Sequence, residues 1–467
     1  MNWSTVATAM LPEHMLLAGV VVLMLQAIFG RARAVPMLAL AFVLAAALAA
    51  LWLYAEGVRA APFAGQFSID PQAAVAKALI LALAAPVMLM AREQFADSTP
   101  FGVLMLSSLY GVCLMLSADS FLTLFMGLEL MSLPLYALVL LAYRRADGAE
   151  AALKYLIMGG AASTTLLMGM SLLFGATGSL ALSAFPAALG QFGDTDSATG
   201  MLATGGITLF IAALFLKAAV VPFHGWAPDA YEGASVPVTA YMSTLVKAGV
   251  LLAAVRLFAD SAVPALLVGL IVALPLASIV WGNLAAIRQE SFRRMIAYSS
   301  IAHAGYLFLA FLGAPAGRFQ AVAFYAVTYA LANLLAFAAL PRLAAEAASD
   351  RIDSLRGLYA RSPFGALMLG LAMLSLAGIP PLPGFVAKFL VFTNVMAAGH
   401  VLVATLGLVA SYLGIYFYLR VIQYAFMGAS ETVAPAVRGP AIAAAVLCLL
   451  PVALLMLFPA ALLGRLV

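Results

Sequence analysis

Long apolar segments recur along the whole chain and are separated by short polar connections. They lie at approximately 12–30, 35–55, 72–91, 99–117, 119–142, 151–175, 203–224, 236–258, 262–285, 294–313, 318–341, 363–395, 400–427 and 439–463. A helix that crosses a hydrocarbon core of about 30 Å needs roughly 20 apolar residues, and most of these segments supply them. The pattern predicts an all-α integral membrane protein with about fourteen transmembrane helices.

The composition excludes an ordinary soluble protein. Of 467 residues, 66% are hydrophobic and 9% are charged, whereas about a quarter of the residues in a soluble domain are charged. Cys113 and Cys448 lie in distant apolar segments, without the spacing of a metal or redox motif. The N-terminal residues carry no basic segment before the first apolar run, so we expect no cleavable signal. We expect membrane lipids, and not nucleic acid, around the chain.

The basic residues predict how the helices are oriented. If the N-terminus lies outside, the odd-numbered connections are cytoplasmic, and these contain Arg31, Arg33, Arg92, Arg144, Arg145, Lys154, Arg288, Arg293, Arg294, Arg342, Arg351, Arg356, Arg361, Arg420 and Arg438. The opposite side contains Arg59, Arg256, Arg318 and Arg465. Because short cytoplasmic loops are enriched in Lys and Arg, this separation favours fourteen spans with both termini outside.

Two of the apolar segments are interrupted by Pro and Gly. The seventh runs into Lys217 and then meets Pro222 and Gly225, and the twelfth contains a Pro-rich break just before Lys388. Paired broken helices in two halves are typical of transporters built from inverted repeats. We therefore predict helices 1–3 in residues 1–98, a first five-helix repeat in 99–258 (helices 4–8), an inverted repeat in 259–427 (helices 9–13), and helix 14 in 428–467.

Ionisable residues inside the predicted spans are the candidate site. Glu129 lies near the middle of the fifth span and is the expected counter-charge of Lys217, while Lys247, Lys388 and His303 lie in later spans. Charged residues at membrane depth are costly and usually functional. Burial lowers the pKa of a lysine by up to about 3–5 units and a nearby carboxylate raises it again, so such groups suit proton transfer. We expect these five residues, together with His224, to supply a row of titratable groups that forms a proton path.

Simpler interpretations exist for several of these groups. Glu129 and Lys217 could form a static ion pair that holds two helices together. A lone buried histidine such as His303 is often only a hydrogen-bonded core residue, and the same holds for His224, which follows the break in helix 7. Lys77 lies near the outer end of the third span, where we expect its amine to snorkel to the interface.

Three motifs resemble a known family, the antiporter-like proton-translocating subunits of bacterial respiratory complex I, the NADH:quinone oxidoreductase. They are KAAVVPFHGWAPDAYEGASVPVTAYMSTLVKAG from Lys217 to Gly249, AGIPPLPGFVAKF from Ala377 to Phe389, and DSLRGLYARSP from Asp353 to Pro363. The likeness covers nearly the whole chain and is strongest to the subunit N branch. Ser235 departs from the family, which usually has proline there.

The resemblance implies a function and site roles. Glu129 and Lys217 would be the coupled pair, Lys247 the connecting lysine and Lys388 the terminal one. The chain would lie in the bacterial inner membrane with periplasmic termini and translocate protons, beside other membrane subunits and a hydrophilic redox arm. The resemblance implies no cofactor in this chain, because NADH, FMN, iron–sulfur clusters and quinone would be used by partner subunits.

Two other functions fit the sequence. A cation/proton antiporter or membrane-bound hydrogenase subunit built on the same repeats would show sodium-dependent transport or different partners. A scaffold that does not transport would tolerate loss of Lys247 and Lys388.

Overall fold

Helices make up nearly all of the regular structure. The computed structural model of the protein describes residues 3–30, 34–142, 146–258, 261–340, 351–428 and 439–464. Its helices are α1 (Trp3–Ala9), α2 (Leu11–Ile28), α3 (Val35–Ala55), α4 (Pro71–Ala91), α5 (Thr99–Leu116), α6 (Phe121–Leu140), α7 (Ala146–Thr177), α8 (Phe185–Gly190), α9 (Ala198–Ala218), α10 (Trp226–Gly233), α11 (Val236–Tyr241), α12 (Lys247–Leu257), α13 (Ala265–Ile287), α14 (Phe292–Leu309), α15 (Pro315–Ala338), α16 (Leu358–Arg361), α17 (Pro363–Ala377), α18 (Pro383–Ala397), α19 (Val401–Tyr412), α20 (Ile415–Phe426), α21 (Gly439–Leu457) and α22 (Pro459–Leu463). An antiparallel hairpin of β1 (Ala60–Phe63) and β2 (Phe67–Ile69) follows α3.

The predicted number of spans is confirmed. Within the described ranges, 13 helical runs are long and apolar enough to cross a membrane. The two shorter apolar helices α17 and α18 follow one another across a break and together supply the fourteenth span. The chain is therefore an all-α membrane protein whose twelfth span is discontinuous, as the Pro and Gly residues predict.

The spans that carry the central polar residues are shielded from lipid. The run Val236–Leu257 and helix α15 are 100% buried along their apolar windows, and the run Phe292–Leu312 is 94% buried. Helices α2 and α13, in contrast, are 28% and 33% buried and lie at the periphery. Lys247 and His303 therefore face protein, which is where ionisable groups are found at membrane depth.

The break in the seventh span (helix 7), between α9 and α10, keeps its backbone groups paired. Helix α9 ends at Ala218, and Ala219 has a positive φ of 60°. The amide of Val221 donates to Ser278 Oγ at 2.8 Å, and Trp226 Nε1 donates to the Leu216 carbonyl at 3.0 Å. A neighbouring helix and a side chain thus replace the lost helical hydrogen bonds, as a break inside a membrane requires.

The backbone conformation at the break in the twelfth span (helix 12), between α17 and α18, depends on glycine. Gly378 ends α17 with a φ of 82°, a conformation that glycine adopts easily. Gly384, in the first turn of α18, lies so close to α17 that a Cβ there would overlap the Ser375 carbonyl oxygen. The two half-helices therefore meet at a contact that no larger residue fits.

A further irregularity, besides the two breaks, was not predicted. The eighth span (helix 8), formed by α11 and α12, contains a π-helical turn over Met242–Val246, directly before Lys247. Such turns are often found at functional sites. The turn contains no Pro or Gly, so no local sequence pattern predicts it.

Several predictions concern residues outside the described ranges. Among the basic residues used to predict orientation, these are Arg31, Arg33, Arg144, Arg145, Arg342, Arg438 and Arg465. The side on which the termini lie and the repeat boundaries at 98/99, 258/259 and 427/428 stay predictions.

The expectation for Lys77 is wrong. Its side chain is fully buried and donates to Glu13 Oε1 at 2.6 Å, so the amine does not reach the interface. A buried carboxylate on α2, distant in sequence, holds it inside the bundle.

We expect Gly384→Ala to destabilise the fold by about 1–3 kcal/mol or more, because the added methyl group meets backbone and not a flexible side chain. The matched control is Gly269→Ala in α13, where a Cβ would have open space and alanine favours the helix by about 0.5–1 kcal/mol. Thermal unfolding of both variants in detergent measures the effect. Equal melting temperatures for Gly384→Ala and the wild type would contradict the close contact.

Candidate proton-transfer site

Glu129 and Lys217 lie together at the break in helix 7. Lys217 is in the last turn of α9 and Glu129 is in α6, and Lys217 Nζ is 3.5 Å from Glu129 Oε1. Ser132 Oγ also accepts from Lys217 Nζ at 3.2 Å, and Ser163 Oγ of α7 donates to the same carboxylate oxygen. The lysine side chain is 7% exposed and the glutamate 20%, so this pair is shielded without being sealed.

Lys247 has no carboxylate partner in the described part of the chain. Its Nζ donates to the Ser300 carbonyl at 2.7 Å and to Ser300 Oγ at 2.5 Å, and its side chain is buried. Burying a charge without a counter-charge costs free energy. Among the described residues, only neutral oxygens offset this cost.

His303 lies in a network of hydroxyl groups. Its Nδ1 is 2.8 Å from Tyr325 Oη and its Nε2 is 3.1 Å from Tyr418 Oη, while Ser299 Oγ is 2.6 Å from the same Tyr418 oxygen. Because each hydroxyl can donate and accept, the network can pass a proton through the ring. Ser299 is adjacent in sequence to Ser300, the partner of Lys247.

Lys388 lies at the second break. Its Nζ donates to the carbonyl of Ala377, the last residue of α17, at 2.9 Å and to Ser411 Oγ at 3.5 Å. The amine also lies 5.2 Å from the centre of the Tyr306 ring, which in turn is 5.6 Å from the centre of the His303 ring. Tyr306 therefore lies between the histidine and the terminal lysine.

A small cavity adjoins His303 on the side of helix 12. It is lined by His303, Tyr325, Thr328, Tyr329, Ala332, Ser375, Leu376, Gly384 and Ala387, and about 10 Å³ is open to the centre of a water molecule. In the part of the chain that the structure describes, Ser375 Oγ is buried there without a hydrogen-bond partner. The volume and the unpaired hydroxyl suit about one ordered water.

The structure brings the later members of the predicted row together more closely than the earlier ones. Among the described residues, hydrogen bonds lead from Lys247 to Ser300 and from Ser299 to His303, whereas none joins Lys217 to Lys247. The link from Ser299 to His303 passes through Tyr418 of α20, and no hydrogen bond among the described residues joins Ser300 to Ser299 or His303 to Lys388. Transfer across these gaps, as across the one after Lys217, needs water or movement.

His224 is separate from this row. Its Nε2 accepts from Trp281 Nε1 at 2.9 Å, and its ring packs edge-on to the Trp281 ring. The structure gives it no contact with the buried lysines in the described ranges. Its place in a proton path stays a prediction.

A charged network lies beside the break in helix 7. Asp229 of α10 is 2.7 Å from both Lys154 and Arg294, and Arg294 also contacts Glu232 at 3.1 Å. Partial burial alone would raise the pKa of Asp229, but hydrogen bonds from Lys154 and Arg294 outweigh it and hold this pKa below its ordinary value. Three helices, α7, α10 and α14, are thereby linked.

The chain is similar to proteins of a known family over most of its length. A sequence profile described as NADH:quinone oxidoreductase/Mrp antiporter, transmembrane, matches residues 118–414. A relative named NADH-quinone oxidoreductase subunit N from Pelobacter propionicus is 39% identical over 91% of this chain and 90% of its own length. This chain belongs to the NADH-quinone oxidoreductase subunit N family.

Other members and structures agree with this assignment. The subunit N of Nitrosomonas europaea is 35% identical over 97% of this chain and 95% of its own length. A chain in the structure of respiratory complex I from Thermus thermophilus with bound aureothin is 35% identical, covers 97% of this chain and 99% of that chain, and has a TM-score of 0.82. A chain of the Mrp complex from Dietzia shares the fold with a TM-score of 0.83 at 23% identity.

The family match contains all six predicted site residues. Some of their hydrogen-bond partners were not predicted from the sequence. Ser163, Tyr325 and Tyr418 contact the site from helices distant in sequence, and no local pattern distinguishes them from other hydroxyl residues of this chain. The hydroxyl groups around His303 on its own helix, Ser299 and Tyr306, do stand at helical spacing and could be predicted.

We expect Asp229→Asn to lower stability at neutral pH by removing the anion that Lys154 and Arg294 share. Because the pKa of Asp229 is lowered in the folded state, its contribution is present above about 3.9, the ordinary carboxyl pKa, and is lost as pH falls through the lower folded value. Melting temperatures of wild type and variant, measured from neutral to acid pH, should converge only at the acid end. Glu56→Gln, at an exposed residue, is the control, and a difference that does not depend on pH would contradict the prediction.

Proposed function

We propose that this chain is the subunit N of a bacterial NADH:quinone oxidoreductase and that it carries protons across the inner membrane. The observation that supports this most strongly is the set of three buried lysines, Lys217, Lys247 and Lys388, inside the family match. A purely structural membrane protein has little reason to bury three lysines with one carboxylate among them, because each unpaired charge destabilises the fold.

The proposed proton transport proceeds in steps, each carried out by particular residues. Glu129 stabilises the protonated form of Lys217 near the charged network of Asp229, where protons would be taken up from the cytoplasm. Movement of Glu129 or its protonation removes that stabilisation, and the proton passes to Lys247. Ser300, Ser299, Tyr418 and His303 then relay it by exchange of hydroxyl and imidazole protons, and Lys388 receives it beside Tyr306 and releases it outward.

The source of energy would lie in partner subunits. We propose that NADH, FMN, iron–sulfur clusters and quinone act there and that other membrane subunits connect this chain to the hydrophilic redox arm, with lipids around the remaining surface. An iron–sulfur cluster takes about four cysteine thiolates, whereas this sequence has two cysteines, in α5 and α21. We place both termini on the periplasmic side.

We expect Lys217→Ala or Glu129→Ala to lower NADH-driven proton pumping about tenfold or more, in line with the usual effect of removing an acid–base group. Subunit content should stay normal, because Lys217 sits at a break whose backbone is paired by other groups. Proton uptake into proteoliposomes containing the purified complex measures the effect. Thr208→Ala, at an exposed residue of the same helix α9, is the control, and full pumping in both site variants would exclude the proposed roles.

We expect Lys247→Met and Lys388→Met to abolish pumping as well, because methionine fills a similar volume without carrying a proton. These variants separate transport from scaffolding, since an uncharged side chain of the same size leaves the packing of helices 8 and 12 in place. The measurement is pumping in complexes shown by mass spectrometry to contain every subunit. Normal pumping would favour the scaffold, and pumping that requires sodium would favour a cation/proton antiporter.

A further inference from the structure

A second buried lysine–glutamate pair lies outside the family match. Glu13 of α2 and Lys77 of α4 are 2.6 Å apart, and both side chains are 0% exposed. The matched region begins at residue 118, so neither residue belongs to the row of Glu129, Lys217, Lys247 and Lys388.

The pair is incompletely satisfied. Glu13 Oε2 is buried without a hydrogen-bond partner in the described ranges. Lys77 Nζ has Glu13 as its one hydrogen-bond acceptor there and otherwise faces the Phe67 ring, 4.7 Å from its centre. Because apolar residues of similar size usually hold helices together as well as a buried ion pair does, stability alone does not account for these charges.

Helix α4, which carries Lys77, packs against the eighth span, made of α11, the π-helical turn and α12. On α5, Tyr110 and Cys113 are the titratable groups that interact electrostatically with Glu13, and β2 contributes the apolar Phe67. Helix α4 also packs against α15. Lys77 and Lys247 are therefore carried by helices in direct contact.

The hairpin separates the pair from solvent. Phe67 is 2% exposed, while the turn that precedes it, residues 64–66, is exposed. Helix α2 begins two residues before Glu13, and α4 begins at Pro71. The pair thus lies near the end of the bundle that carries the hairpin, where the buried Phe67 ring lies against the Lys77 amine.

We propose that Glu13 and Lys77 form a second proton-exchange site, through which helix 8 communicates with the solution at the hairpin end. In the first step the proton moves from Lys77 Nζ to the Glu13 carboxylate within their hydrogen bond, which leaves a neutral amine and a neutral carboxyl group. The carboxyl group then rotates, so that the protonated oxygen takes the place of the unpaired one, gives the proton to water and becomes a carboxylate again. The ammonium group of Lys247, on the adjoining helix α12, gives a proton through water to the neutral Lys77 amine and is itself reprotonated from the row. This site rests on the proposed function, because the row supplies its protons.

The double variant Glu13→Leu with Lys77→Met tests the site without leaving one charge buried alone. If the pair exchanges protons, the complex assembles normally but moves fewer protons per NADH oxidised than the wild type. A wild-type ratio in the assembled complex overturns the proposal. Asp70→Asn is the matched control, since Asp70 caps the same helix α4 and pairs with the partly exposed Arg256, and its ratio should be normal.

A second measurement does not depend on assembly of the double variant. Glu13→Gln keeps the shape of the side chain, and infrared difference spectra of turning-over complex with isotope-labelled glutamate detect protonated carboxyl groups. We expect a carboxyl band in the wild type that is missing in Glu13→Gln, and identical spectra overturn the proposal. Lys217→Ala distinguishes the two hypotheses: if it stops pumping while the double variant pumps fully, only this second site is excluded.

Discussion

The structure depends on one constraint, which is that the backbone N–H and C=O groups at membrane depth must find their partners within the protein. The break in helix 7 meets it with Ser278 and Trp226, which bind the amide of Val221 and the carbonyl of Leu216. Where helix 12 is broken, it is Lys388 that binds the free Ala377 carbonyl. At the second break, therefore, the charged side chain is itself the partner that makes the break tolerable.

The two breaks create similar electrostatic environments by different connections. Lys217 lies in the last turn of α9, and Lys388, although it belongs to α18, places its amine at the last carbonyl of α17. Both ammonium groups thus lie at the C-terminal end of a half-helix, where the helix dipole favours positive charge by about 0.3–1 kcal/mol. Lys217 has the Glu129 carboxylate in addition, whereas Lys388 has no carboxylate partner among the described residues.

The sequence predicted what depends on local pattern and missed what depends on packing. Apolar length gave the fourteen spans, and Pro and Gly gave both breaks, because these residues act on their own backbone. The π-helical turn before Lys247 and the contacts of Tyr325 and Tyr418 with His303 arise between helices, and no periodicity reports them. Lys77 was misplaced for the same reason, since its partner Glu13 lies 64 residues away.

The two lysine–glutamate pairs differ in distance and in the hydrogen-bond partners around them. Lys217 and Glu129 are 3.5 Å apart, and Ser132 and Ser163 offer alternative hydrogen bonds to each partner. Glu13 and Lys77 are 2.6 Å apart with no alternative acceptor for the amine in the described ranges. Separation of the first pair exchanges one partner for another, whereas separation of the second leaves two buried charges alone. Under the proposed functions, a proton therefore leaves Lys217 after the side chains move, whereas it leaves Lys77 by transfer to Glu13 itself.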